Sequence, residues 1–292
     1  MSASRRLARL FVFALLLAPS LSATMLARPA SADSGDDAAL ASVRATLEQE
    51  GLLADPVALS GAVTTLGDVT ITHRLRTSEP QVSVAWESRD ASGLAKEATV
   101  RITRHLAGSL EIERRDLLGR DRFTTKQVED DAYRQVTLRR DGRRWRVTTM
   151  SAQVLASTGG RTQLPLVDLN TSRVSSGYLS VLSDLDELAV HPQTCAVTAP
   201  GDSVRVFVSG VARDAVVTVF ANGRSFAARS DGEAHFQVAL QLDGGTRLQS
   251  IGVTVFSRAS VYDPAAPADS RTWILPILVG APPPVGEEYF GS

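Results

Sequence analysis

Val136-Thr137-Leu138-Arg139-Arg140-Asp141-Gly142-Arg143-Arg144-Trp145-Arg146-Val147 is the stretch whose reading decides the fold class. Asp141-Gly142 supplies the positive φ angles of a two-residue hairpin turn, so its flanks are read as antiparallel strands. A turn of that length sets the register, pairing Leu138 with Trp145 and Val136 with Val147. All four then lie on one face, as a core requires. The other face carries Arg139 opposite Arg144, with Arg146 nearby. Like charges in direct opposition destabilise a strand pair, so acids on a neighbouring strand, with Glu111 and Glu113 as candidates, are expected to relieve them. The functional alternative for Arg139, Arg144 and Arg146 is an anion site for a carboxylate, phosphate or sulfated sugar.

Upstream of the hairpin, the side-chain period is two from about Gly67. Val82, Val84 and Trp86 alternate with polar neighbours, and Leu110 and Ile112 alternate with Glu111 and Glu113. These are half-buried antiparallel strands with one wet face. Before them the period is helical. Ser34 and Asp37 have capping-box spacing, Leu40, Val43 and Leu47 follow on one stripe, and Gly51 suits the C′ position. Asp55-Pro56 is read as the start of a second short helix.

Downstream, Gly159-Gly160, Pro165 and a Ser/Thr/Asn-rich run read as a connector. Short strands and turns then recur about every ten residues. Val204, Val206 and Val208 alternate, Asn222-Gly223 forms a second two-residue turn pairing Val219 with Phe226, and Phe236, Val238 and Leu240 alternate next. Leu248, Ile251, Val253 and Val255 follow, and Trp273, Leu275 and Ile277 form a last strand whose Pro276 predicts an edge position.

The order helix, meander, then Asp-Gly-x-x-Trp-x-Val ending at Val147 resembles the NTF2-like/cystatin-like α+β folds, in which a curved sheet wraps a helix and often lines a pocket. Val217-Thr218-Val219-Phe220-Ala221-Asn222-Gly223, then Asp231-Gly232 with Phe236, Val238 and Leu240, resembles a bacterial Ig-like domain. Such modules serve as spacers, adhesion units or accessory domains. The expected fold class is therefore mainly β in two domains: an N-terminal α+β domain at 33–158 and a C-terminal Ig-like β-sandwich at 188–279. A linker at 159–187 would join them, and a disordered tail would occupy 280–292.

Arg5, Arg6 and Arg9 before the apolar run Leu10 to Ala18 read as a secretory signal peptide, with Ala30-Ser31-Ala32 as cleavage site. The run is too short to span a bilayer, so no stable membrane insertion is expected after cleavage. Residues 33–292 carry 27 basic and 32 acidic side chains, a formal charge of −5, which argues against a nucleic-acid partner. The lone Cys195 can form no disulfide within the chain.

Catalytic and metal motifs are not found. His73, His105, His191 and His235 lack metal-ligand spacing. Gly201-Asp202-Ser203 reads as a turn opening a strand, and Glu129-Asp130-Asp131 as a wet loop or helix start. Asp184, Asp186 and Glu187 lack the glycine and distal Glu of a calcium loop. No cofactor is expected. The expected function is a non-enzymatic binding or structural module of the bacterial envelope, periplasmic or extracellular, with a protein or polysaccharide of the envelope as partner. The rival is a small-molecule enzyme whose NTF2-like pocket would place His73 or His105 in an apolar cone.

Overall fold

The computed structural model describes residues 34–54, 61–116, 118–162, 165–171, 189–190, 196–198, 200–243 and 247–280. The expected signal peptide, the helix start at Asp55-Pro56, the acidic run Asp184 to Glu187, Cys195 and residues 281–292 lie outside them. The described chain is mainly β, built on a large curved antiparallel sheet.

A helix, α1 (Ser34–Gln49), comes first. It buries Val43 and Leu47 completely and leaves Leu40 at the surface. Gly51, at φ 68, ends it, and the Leu52 N–H returns to the Leu47 carbonyl at 2.8 Å, closing the last turn. Arg89 grips both carboxylate oxygens of Asp36, at 3.0 and 2.9 Å, and so fastens the first turn to the sheet.

The first group of strands is β1 (Val63–Leu66), β2 (Val69–Thr77), β3 (Gln81–Arg89), β4 (Ala95–Arg115), β5 (Asp121–Asp141), β6 (Arg144–Ser151) and β7 (Gln153–Ser157). Then come β8 (Leu166–Thr171), β9 (Ala189–Val190), β10 (Ala196–Thr198), β11 (Ser203–Ser209), β12 (Val216–Ala221) and β13 (Arg224–Ala227). The last are β14 (Arg229–Ser230), β15 (Phe236–Gln241), β16 (Arg247–Phe256), the short α2 (Arg258–Tyr262) and β17 (Ser270–Val279). The main sheet runs β1-β2-β4-β5-β7-β17-β16-β12-β13, with β3 on β4, β6 on β5, β9 on β6 and β10 parallel on β17. A second sheet runs β14-β15-β11-β8.

The β4–β5 hairpin organises the rest. Each strand has 21 residues, about 70 Å at the usual rise. Its inward face meets α1 at one end, where Ala98, Val100, Ile102, Val136 and Leu138 pack with Val43, Leu47, Trp145, Val147 and Met150. At the other end Leu106, Leu110, Ile112, Val128 and Ala132 pack with Leu155 of β7 and with Val216, Phe220, Phe256 and Ile274 from the C-terminal strands. Arg104 and Arg134 stand between the two clusters, and an Arg104 guanidinium nitrogen donates to the Leu53 carbonyl.

Residues from both ends of the sheet path therefore share one interior. The terminal strands β1 and β13 lie side by side, with the hydroxyls of Thr64 and Ser225 hydrogen-bonded across them. The sheet is curled nearly into a barrel. Its end is filled by the 257–269 connection, whose Val261 is buried. Lys126, itself buried, donates to the carbonyls of Ala259, Asp263 and Ala266 at 3.4, 2.6 and 2.7 Å. Burial lowers the Lys126 pKa, opposed by the charge of Asp263.

The second sheet covers the outside of the same C-terminal strands. Val204, Val206, Val208, Phe236, Leu240, Val167 and Leu169 pack face to face on Val219, Val253, Trp273, Leu275 and Ile277. β12 is buried at all six positions because it is covered on both faces. That is why Val216-Val217-Thr218-Val219-Phe220-Ala221 does not alternate in polarity.

Several expectations need correction. The expected pair of separate cores, 33–158 and 188–279, is one connected structure: β7 pairs with β17, and one cluster draws on both segments. The expected linker 159–187 contains β8, which pairs with β11 along its length. Pro276 lies in a central strand, because β17 has partners on both sides. β7 leaves it at Ile274 and β10 joins at Ile277, and that seam leaves room for a residue without an N–H. Glu129-Asp130-Asp131 is neither loop nor helix start but the middle of β5.

The opening hairpin is also displaced. Gly142, at φ 60, takes the first central turn position and Arg143 the second, so Leu138 faces Val147 and Arg140 faces Trp145. The slip moves one residue on each strand, which keeps Leu138, Trp145 and Val147 on their face. A bulge at Thr148 then lets Met150 face Val136. At Asn222-Gly223 the expected pairing of Val219 with Phe226 is present, with φ of 53 and 71 in the turn.

Gly252 faces Phe220 across β16 and β12, and a Cβ there would lie 1.7 Å from the ring. The ring covers the glycine inside the curled sheet. Gly252→Ala should cost about 1–3 kcal/mol in urea denaturation, and adding Phe220→Leu should recover part of it. A Gly252→Ala protein as stable as the parent would show that the ring is not seated there.

Candidate functional site

Three places carry chemically suggestive side chains: the arginine face, the histidines, and a groove beside the second sheet. On the first, Arg139 faces Arg146 rather than Arg144. The relieving acids are also not Glu111 and Glu113. Arg139 lies 3.9 Å from Glu97, its cross-strand neighbour on β4, and Arg146 lies 3.6 Å from Asp141. Glu111 instead holds Arg74 at 2.6 Å. Arg140 pairs with Asp90, whose carboxyl is held below its usual range first by the Ser92 hydroxyl, then by backbone N–H groups and Arg140. Arg144 is exposed and enters no ion pair among the described residues. On the Arg139 face the ion pairs with Glu97 and Asp141 are exposed enough to contribute little, whereas Arg140–Asp90 lies on the other face of β5 and is part-buried.

His73 and His105 are on opposite faces of the main sheet. His105 is half exposed and meets Asp131, its cross-strand partner, at 3.1 Å. His73 is buried and meets the Phe256 ring edge-on at 5.5 Å, and its Nδ1 has no hydrogen-bond partner. Burial drives its pKa down to about 4, so it is neutral at physiological pH.

The inward face also holds an acid that the sequence did not single out. Asp130 pairs in register with Ser157 on β7 and is buried. Burial lifts its pKa to about 6, against the opposing effects of the Ser157 hydroxyl and Arg271. Ser157 in turn bonds the Ser270 backbone, accepting its N–H at 3.0 Å. Asp130 aligns with Leu106 and Thr77, whereas His73 aligns with Leu110 and Lys126. Four residues and two strand spacings separate His73 from Asp130, about 16 Å between backbones, too far for a proton-sharing pair.

The third place is a groove of about 660 Å³ where β1 and β13 meet the second sheet. Arg205, Arg229, Gln237, Val238, Ser225 and Phe226 are among its lining residues. The register sets Arg205, Arg229 and Gln237 on the outer face of the second sheet and Val238 on the face that packs, with Phe226, against the core. Neither Arg205 nor Arg229 enters an ion pair among the described residues. Their signal in the sequence was slight, since each is only the polar member of an alternating pair in a surface strand. No group of three or more His, Cys, Asp or Glu side chains able to hold a metal occurs among the described residues. No described helix is long and apolar enough to cross a membrane.

The two buried titratable groups oppose each other. Neutral His73 stabilises the fold above its ordinary pKa of 6.5, and that contribution is lost as pH falls toward 4. Neutral Asp130 stabilises it below its ordinary 3.8, and that contribution is lost as pH rises through 6. Between about pH 4 and 6 their slopes cancel. Melting temperatures measured across that window should therefore separate the single variants. His73→Leu should become less stable with rising pH relative to the parent, and Asp130→Asn more stable. Identical profiles for all three proteins would contradict the burial of both groups. No family model, no curated protein and no solved structure matches the chain.

Proposed function

We propose that the chain is an exported protein of the bacterial envelope that acts as a non-enzymatic binding or structural module. The leader-like run from Arg5 to Ala32 supports export to the periplasm or the exterior. The finer fold reading belongs to the same proposal: an Ig-like sandwich formed by the second sheet and the C-terminal strands, fused to an NTF2-like/cystatin-like curved sheet with its helix.

The observation that carries the non-enzymatic reading is the filling of the curled sheet. An enzyme of the NTF2-like kind needs an open apolar cone with a proton-transfer group in it. Here Phe220, Phe256, Val261 and Leu110 occupy that interior. His73 packs on Phe256 with no acid paired to it among the described residues, and His105 faces solvent. A second reading is recognition of an anionic envelope polymer by the Arg139/Arg144 face, where Arg144 is exposed and enters no ion pair among the described residues.

Purified protein starting at Asp33 should show no turnover in a broad hydrolase screen. Used as bait, it should retain a component of envelope fractions saturably. Turnover that co-purifies with the protein and disappears in His73→Leu would overturn the proposal in favour of the enzyme.

A further inference from the structure

We infer that the free edge of β3 is a dimer interface, at which the strand pairs antiparallel with β3 of a second copy of this chain. Among the described residues β3 pairs with β4 alone, so its other side presents a row of N–H and C=O groups without a strand partner. Other sheet ends offer less. β14 is two residues long, and β1 and β13 lie against each other. β3 presents nine residues. Edge strands are ordinarily blunted by Lys, Pro or an inward-pointing charge, and Gln81 to Trp86 contains none of these. The register irregularity around Ser88 comes only after that stretch.

The side chains beside the edge are left partly uncovered. Val82, Val84 and Trp86 pack on the α1 cluster yet are only half-buried. Leu40 belongs to the same stripe of α1 as Val43 and Leu47 but is 40% exposed, and Asp36, one turn before it, is held by Arg89 of β3. A further strand beside β3 would cover this surface. The sequence of the edge selects a second copy over an unrelated peptide. About Val84 it reads alike in both directions: Gln81 and Glu87 are polar, Ser83 and Ala85 are small, and Val82 and Trp86 are apolar. A two-fold axis at Val84 therefore sets Val82 of each copy opposite Trp86 of the other and joins the two half-buried rows into one. Ser83 then meets Ala85 on the outer face, and no like charges are opposed. An unrelated strand has no need of this symmetry.

Sedimentation of the chain from Asp33 onward, over rising protein concentration, should show a reversible monomer–dimer equilibrium. Ser83→Lys with Ala85→Lys opposes lysines twice across the axis and should weaken dimerisation about tenfold or more. Both positions are exposed, so the circular dichroism of this variant should match the parent's. Ser83→Glu with Ala85→Glu should weaken dimerisation likewise, and mixing the two variants should restore a heterodimer. Independently of these charges, Val84→Cys in a Cys195→Ser background should oxidise to a covalent dimer, because residues directly opposite on antiparallel strands lie within disulfide reach. The inference is overturned if the parent stays monomeric throughout, if the lysine variant dimerises as the parent does, if the mixture forms no heterodimer, or if Val84→Cys gives no covalent dimer. The pairing does not depend on the binding-module reading, so its failure would leave that reading standing.

Discussion

The inward face of the β4–β5 hairpin is an apolar strip about 70 Å long that water must not reach, and each remaining element covers part of it. Helix α1 and β6 cover one end. The strands β7, β17, β16 and β12 bend round to cover the other, which forces the main sheet to curl until its first and last strands touch. Covering this strip leaves those C-terminal strands buried on one face, and the second sheet is then needed to bury their opposite face. Three clusters follow from one long hairpin.

Polar groups mark the places where this covering is incomplete or must be held. Lys126 holds the connection between β16 and β17 by its carbonyls, a tie that a charge can make without an acid partner because carbonyl oxygens replace its water. Ser157 ties β7 to β17 beside Asp130. Arg104 and Arg134 separate the two clusters on the strip. These groups serve the fold. Arg205 and Arg229 enter no ion pair among the described residues and line a groove beside the second sheet.

Local order was legible in the sequence wherever one face of a strand is wet. Val82, Val84 and Trp86, the Asn222-Gly223 turn and the stripe of Val43 and Leu47 all announce their structure through period and turn chemistry. Long-range order was not. The acidic run at 129–131 reads as solvated because the partners that bury Asp130 come from Ser157 and Arg271, far along the chain. Leu166 to Thr171 reads as connector because nothing local shows that β11 lacks a neighbour on that side. Pro276 reads as an edge residue because the handover from β7 to β10 involves three segments distant in sequence. Of the site, the arginine face and the histidines were visible by residue type, while the groove joins residues that only the curl brings together.

Residues 33–158 and the C-terminal strands share one interior, so neither part is expected to fold alone. The most direct measurement is the amide NMR spectrum of residues 33–158 expressed alone, beside that of the chain from Asp33 onward. Lacking Phe220, Phe256 and Ile274, the strip at Leu106, Leu110 and Ile112 would be exposed to water. A collapsed or aggregated fragment without dispersed signals is the expected result. A fragment whose well-dispersed signals overlay those of the full chain would contradict it.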